Sequence, residues 1–294
     1  MTTIATDPLT RTVDAPGAVI TYDIRPNATT ADPPLLIIGS PMTADGFVTL
    51  AGHFPDRTVV TYDPRGAGRS KRTDDATESP PEEHADDLHR IIRELGGRPV
   101  DLFASSGGAV NALALVAKHP EDVRTLVAHE PPSASVVPDR EAALAACRDI
   151  HETYLARGLG PAMAKFIALV TFDGPIPDDY LDRPAPDPAM FGLPTEDDGS
   201  RDDPLVGLNM PSCTAYEPDI AALRSASTNV IVAGGATSGR TMANRAAAII
   251  AERLGKTTVT FPGDHAGFLG GEYGQTGEPD AFAAKLREVL DGAA

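Results

Sequence analysis

The amino-acid sequence predicts an α/β fold: a mostly parallel, doubly wound sheet that carries an inserted helical cap. Three observations predict it. Short β-rich runs alternate with helical patterns along the chain. Several of those runs are apolar from end to end, as strands covered on both faces are. One long stretch, residues 133–227, holds no good strand.

The first strands are read at AVITYDI (18–24), LLIIG (35–39) and TVVTYD (58–63). Residues 81–95 read as an amphipathic helix, because Ala85, Leu88, Ile91, Ile92 and Leu95 form one apolar stripe among charges. VDLFA (100–104) is a strand, the Ala- and Leu-rich segment 108–118 a helix, and VRTLVAHE (123–130) the next strand. The strandless stretch then offers helices near 138–156 and 160–170, a Pro/Asp-rich loop over 173–204, and more helix near 204–225. Alternation resumes with NVIVAGG (229–235), a helix over 241–254, TVTFPG (258–263) and a helix over 279–291. The expected division is a core of residues 1–132 and 228–294 and a cap of residues 133–227.

Composition excludes some classes of partner. The 294 residues hold 25 Lys and Arg against 42 Asp and Glu, a formal net charge of −17. Such a surface repels phosphate backbones and anionic headgroups, so neither nucleic acid nor membrane is expected as a partner. The expected partner is a small-molecule substrate, with a homodimer left open. No stretch approaches the roughly 20 apolar residues of a membrane span. The opening MTTIATDPLTRT has no basic cluster followed by an apolar run, so no secretory signal is expected. Two cysteines, Cys147 and Cys213, make no disulfide framework, and a cytoplasmic location is expected.

The chemistry centres on LFASSGGAV (102–110). A serine nucleophile on a strand-to-helix elbow needs small residues two before and two after it. Ser105 is flanked by Phe103 and Gly107, and a phenylalanine does not fit. Ser106 is flanked by Ala104 and Gly108, and both fit. Ser106 is therefore the candidate, against the plainer reading of a glycine-rich turn without chemistry.

Four motifs then come in order: LLIIGSP (35–41), YDPRGAGRS (62–70), ASSGGAVNALALVAKHP (104–120) and FPGDHAGF (261–268). Together they resemble the α/β-hydrolase superfamily over nearly the whole chain, with Ile38 where His is common and Ala104 where Gly is common. The resemblance implies a Ser…acid…His order, which demands a late histidine. His265 is the only candidate beyond residue 151, while His129, at a strand end, reads as buried and satisfied. The family's usual acid position after NVIVAGG holds no carboxylate. Glu130, at the end of the preceding strand, is the best alternative, since strand ends converge on the site in open α/β sheets. Asp264 adjoins His265, but neighbouring side chains diverge, and Asp63 reads as a turn former.

The oxyanion hole is expected from the backbone N–H groups of Gly107 and Ser40. Met163, Phe166, Met190 and Leu208 of the cap are candidate substrate contacts, and these apolar residues favour a largely hydrophobic substrate. GGATSGRT (234–241) imitates a phosphate-binding loop but has Arg where Lys is needed. The reading that results is a serine hydrolase acting on a carboxylic ester, lactone or thioester through an acyl-enzyme, with no metal and no organic cofactor required. Its rivals are a cofactor-free lyase or perhydrolase on the same triad, and a ligand-binding member without turnover.

Overall fold

The computed structural model describes residues 8–292, so Met1–Asp7, on which the secretory reading partly rests, lie outside the described residues. The strands are β1 (Leu9–Ala15), β2 (Ala18–Arg25), β3 (Leu35–Ile38), β4 (Val59–Tyr62), β5 (Lys71–Arg72), β6 (Val100–Ser105), β7 (Val123–His129), β8 (Asn229–Gly235) and β9 (Val259–Phe261). They form one sheet in the order β1-β2-β4-β3-β6-β7-β8-β9, with β5 beside β2. The β1, β4 and β5 pairings of β2 are antiparallel, and the pairings from β4 through β3 to β9 are parallel. The fold is therefore the mostly parallel α/β architecture expected.

The helices are α1 (Val48–Gly52), α2 (Pro81–Glu94), α3 (Gly107–Lys118), α4 (Arg140–Arg157), α5 (Leu159–Val170), α6 (Met210–Ala215), α7 (Ile220–Ser225), α8 (Met242–Arg253) and α9 (Pro279–Leu290). The pleat sends alternate side chains to opposite layers. Leu36, Ile38, Leu102 and Ala104 join the core beneath α2, α3 and α8. Leu35, Ile37 and Phe103 join a second core with Phe282 and Leu286 of α9. Burial on both faces is why these strands read as unbroken apolar runs.

β1 was not foreseen. It is an antiparallel edge strand whose residues are largely exposed, so its sequence LTRTVDA carries no apolar signal. Between β7 and β8 there is no strand. That segment contains α4, α5, a π-helical segment (Pro204–Asn209), α6 and α7. Among the described residues no helix is long and apolar enough to cross a membrane.

Candidate active site

Four successive parallel strands, β6 to β9, deliver the site from their C-terminal ends. Ser106 follows β6 with no intervening loop and opens α3 at φ 57°, ψ −130°. A positive φ is uncommon for any residue but glycine. Here the chain holds it from both sides: Ser106 N donates to the carbonyl of His129, and its own carbonyl accepts from Ala109 N. Glycine at position 108 also meets a requirement that comes from β3. A methyl group there would lie 2.7 Å from Gly39 Cα and 3.1 Å from the Ile38 carbonyl oxygen, so α3 is pressed against the end of β3.

The sheet also separates the two serines. Ser105 is paired in register with His129 on β7, and its Oγ lies 3.1 Å from His129 Nδ1. That side chain is committed to the face below the sheet. Ser106 alone turns out of the strand.

Glu130 follows β7, also with positive φ (48°). Its backbone N–H donates to the Ala233 carbonyl, and its side chain is fully buried. Oε1 accepts from the backbone N–H of Gly235 at 2.8 Å, and Oε2 lies 2.6 Å from Nδ1 of His265. Burial pushes this carboxyl upward. The hydrogen bond and charge of His265, with the His129 charge, outweigh burial and hold the group at about 2. Glu130 is thus an anion with both oxygens engaged.

His265 sits in the tight turn after β9, with its side chain 47% exposed. Gly263, at φ 76°, lets the turn close, since a methyl there would stand 2.8 Å from Gly267 Cα. With Nδ1 turned to Glu130, Nε2 is the free edge of the ring. The Ser106 hydroxyl makes no hydrogen bond among the described residues; contacts of this kind often tighten only when substrate is bound. Asp264 is used locally, accepting from Ala266 N. Asp63 shapes its turn as read, accepting from Ala44 N and Arg69 N.

His129 is more than a satisfied core residue. It is fully buried, its Nε2 has no hydrogen-bond partner among the described residues, and its ring stacks on His265 with centroids 6.0 Å apart. Phe103, Phe261, Phe268 and Phe282 surround it. Burial, with the neighbouring His265, pushes it down to about 4 despite Glu130, so it is neutral near pH 7.

Gly107 and Ser40 meet at the candidate oxyanion hole. A methyl on Gly107 would stand 2.4 Å from the Ser40 carbonyl oxygen and 3.3 Å from Cys213 Sγ. Ser40 is buried and its Oγ accepts a hydrogen bond from Asn209 Nδ2. Asn209 and Cys213 were not anticipated, because nothing local marks them. The Asp203-Pro204 pair that starts their segment is a readable helix-start signal, with Asp203 accepting from Leu205 N and Val206 N.

Of the candidate substrate contacts, Met163, Phe166 and Leu208 are half-buried, and the first two pack against the main core. Met190 is 79% exposed in the surface turn Pro188–Phe191 instead of being turned inward. The GGATSGRT loop borders a cavity of about 370 Å³. Its two guanidinium groups are already paired, Arg240 with Asp173 and Arg245 with Asp139, which suits no phosphate. His89, His119 and Asp122 bring metal-ligand atom types within 4.8 Å of one another. That group lies at the opposite end of β7, where His89 Nδ1 is hydrogen-bonded to Asp122 and stacked on His119.

Comparison with known proteins agrees with this architecture. Residues 33–169 match the family described as the alpha/beta hydrolase fold. The hydrolase YraK of Bacillus subtilis is 29% identical over 285 residues, 95% of each chain. Among solved structures, an enol-lactonase from Burkholderia xenovorans superposes with a TM-score of 0.66 at 16% identity, covering 96% of this chain and 100% of that one. A thermophilic esterase from Thermogutta terrifontis gives a TM-score of 0.66 at 18% identity, over 98% and 99% of the two chains.

Proposed function

The chain belongs to the α/β-hydrolase superfamily, and from that premise we propose that it is a serine hydrolase cleaving a carboxylic ester, lactone or thioester of a small, largely apolar substrate. The observation that carries the reading is the 2.6 Å contact from His265 Nδ1 to the buried Glu130. A carboxylate held there keeps the proton on Nδ1 and leaves Nε2 as an acceptor for a hydroxyl proton.

In the proposed reaction Ser106 Oγ attacks the carbonyl carbon while its proton passes to His265 Nε2. The carbonyl oxygen becomes an oxyanion held by the N–H groups of Gly107 and Ser40. The imidazolium, stabilised by Glu130, returns its proton to the departing oxygen or sulfur, and an acyl-Ser106 ester remains. Water, deprotonated by the same nitrogen, releases the acid and restores the hydroxyl. The names of an enol-lactonase and an esterase among the fold neighbours suit the same substrate class.

A panel of chromogenic esters of varied acyl length, run on wild type, Ser106→Ala and Glu130→Gln, tests the proposal. Ser106→Ala is expected to abolish turnover. Glu130→Gln is expected to reduce kcat by about 10²-fold or more, since an amide supports the wrong tautomer. Full activity in Glu130→Gln would move the acid elsewhere. Absence of turnover on every ester, with ligand binding intact, would make the protein a binding member of the fold.

A further inference from the structure

We propose that Asn209 is a positioning residue of the oxyanion hole, acting through the Ser40 side chain; this rests on the serine-hydrolase reading above. Asn209 and Cys213 are four residues apart on one continuous helical stretch that passes from π-helix to α6. Asn209 Nδ2 donates to Ser40 Oγ, and Cys213 Sγ faces Gly107. One segment of the helical insert therefore covers both residues whose amides are assigned to the oxyanion.

The direction of the Asn209 bond matters. An amide NH₂ can only donate, so Ser40 Oγ is the acceptor and its own O–H is left to donate elsewhere. Among the described residues that O–H has no acceptor. A fixed hydroxyl beside two backbone N–H groups supplies a further donor for developing negative charge, aligned before the reaction begins.

The segment is built to hold this position. Tyr154 Oη accepts from Asp203 N, and Asp203 caps the first π-helical amides. The Leu208 carbonyl accepts from Ser79 N, and Ser212 Oγ donates to the Ser79 carbonyl, which pins the segment to the sheet-bearing part of the chain. Asn209 itself is 4% exposed. The segment opens as a π-helical stretch that runs into α6, and π-helical turns are frequent at functional sites.

The test compares Asn209→Ala, Asn209→Asp and Ser40→Ala singly and combined, using a short-chain p-nitrophenyl ester and a trifluoromethyl ketone that mimics the tetrahedral intermediate. Asn209→Ala is expected to lower kcat about 10-fold with KM little changed, and to weaken ketone binding in proportion. Asn209→Asp is the sharper variant. Its carboxylate would accept the Ser40 proton and add negative charge beside the oxyanion, so a loss of about 10²-fold is expected from a protein that keeps its fold. In the Ser40→Ala background Asn209→Ala should cost nothing more. Asn209→Asp with wild-type kcat, or losses that multiply in the Asn209→Ala/Ser40→Ala pair, would overturn the assignment. Should an Asn209 variant not fold, Ser40→Ala alone decides, because unchanged ketone affinity there removes the hydroxyl from the site. If wild type turns over no ester, the serine-hydrolase reading fails and this assignment goes with it. Active wild type with indifferent Asn209 variants would remove only the assignment.

Discussion

At the scale of single residues, Glu130 and His129 divide one strand end between two faces of the sheet. Glu130 accepts from Gly235 N and His265 on the side of the site; His129 takes Ser105 and packs among phenylalanines below. The neutral His129 ring lies against His265, so the imidazole that would become charged in the reaction rests on an uncharged plane. Replacing His129 with Phe keeps the ring but strands the Ser105 hydroxyl in an apolar pocket. A cost of about 1–3 kcal/mol is expected, read as a lower urea midpoint with unchanged m-value. The double variant His129→Phe/Ser105→Ala should recover much of that loss, because neither polar group is then left unpaired.

At the scale of elements, the elbow depends on how closely α3 approaches the end of β3. Gly108→Ala would bring a methyl to 2.7 Å from Gly39 Cα, a contact with backbone that no rotamer relieves. We expect destabilisation of about 2–3 kcal/mol and a measurable drop in Tm, with activity falling as β3 and its neighbour Ser40 are displaced. The π-helical segment depends on its cap. Asp203→Ala removes the acceptor of two backbone N–H groups at a cost of about 1 kcal/mol, and kcat should fall part of the way toward the Asn209→Ala value as Asn209 loosens. The longer helices and the parallel strands were legible in the sequence because two-sided burial imposes an apolar run and one-sided burial a stripe; the single-turn α1 was not read. β1 was not, since an exposed edge strand needs no apolar residues; nor was the π-turn, whose register depends on Ser40 and Ser79 elsewhere in the chain.

At the scale of the whole molecule, acid is expected to unfold the protein through histidines that cannot be charged inside it. Burial, with the nearby Arg65 and Arg72 charges, holds His84 at about 3, and burial with His265 holds His129 at about 4, both against an ordinary value of 6.5. The unfolded chain therefore takes up protons below about pH 6.5 that the folded chain refuses, so stability is complete above that pH and falls as pH drops toward 4. Glu130 acts lower: its folded value of about 2 lies beneath the unfolded 4.5, so its contribution is present above pH 4.5 and is lost as pH falls toward 2. Urea midpoints measured from pH 7 to 4 should decline, and His84→Leu should flatten the decline by about one proton. An unchanged midpoint across that range would contradict the burial of both rings.

The strand–helix alternation, the parallel sheet and the choice of elbow serine are legible in the chain alone, because each is written in local periodicity, side-chain size or chain order. It also narrowed the base to His265 and the acid to Glu130. Three contacts came to light only in the folded chain: Glu130 Oε2 meets His265 Nδ1 across 135 residues, Ser105 belongs to His129, and Asn209 reaches Ser40 across 169 residues. Those contacts follow from where strand ends and a distant helical turn converge in space. A hydrogen bond between distant residues leaves no periodicity in either segment for a sequence to display.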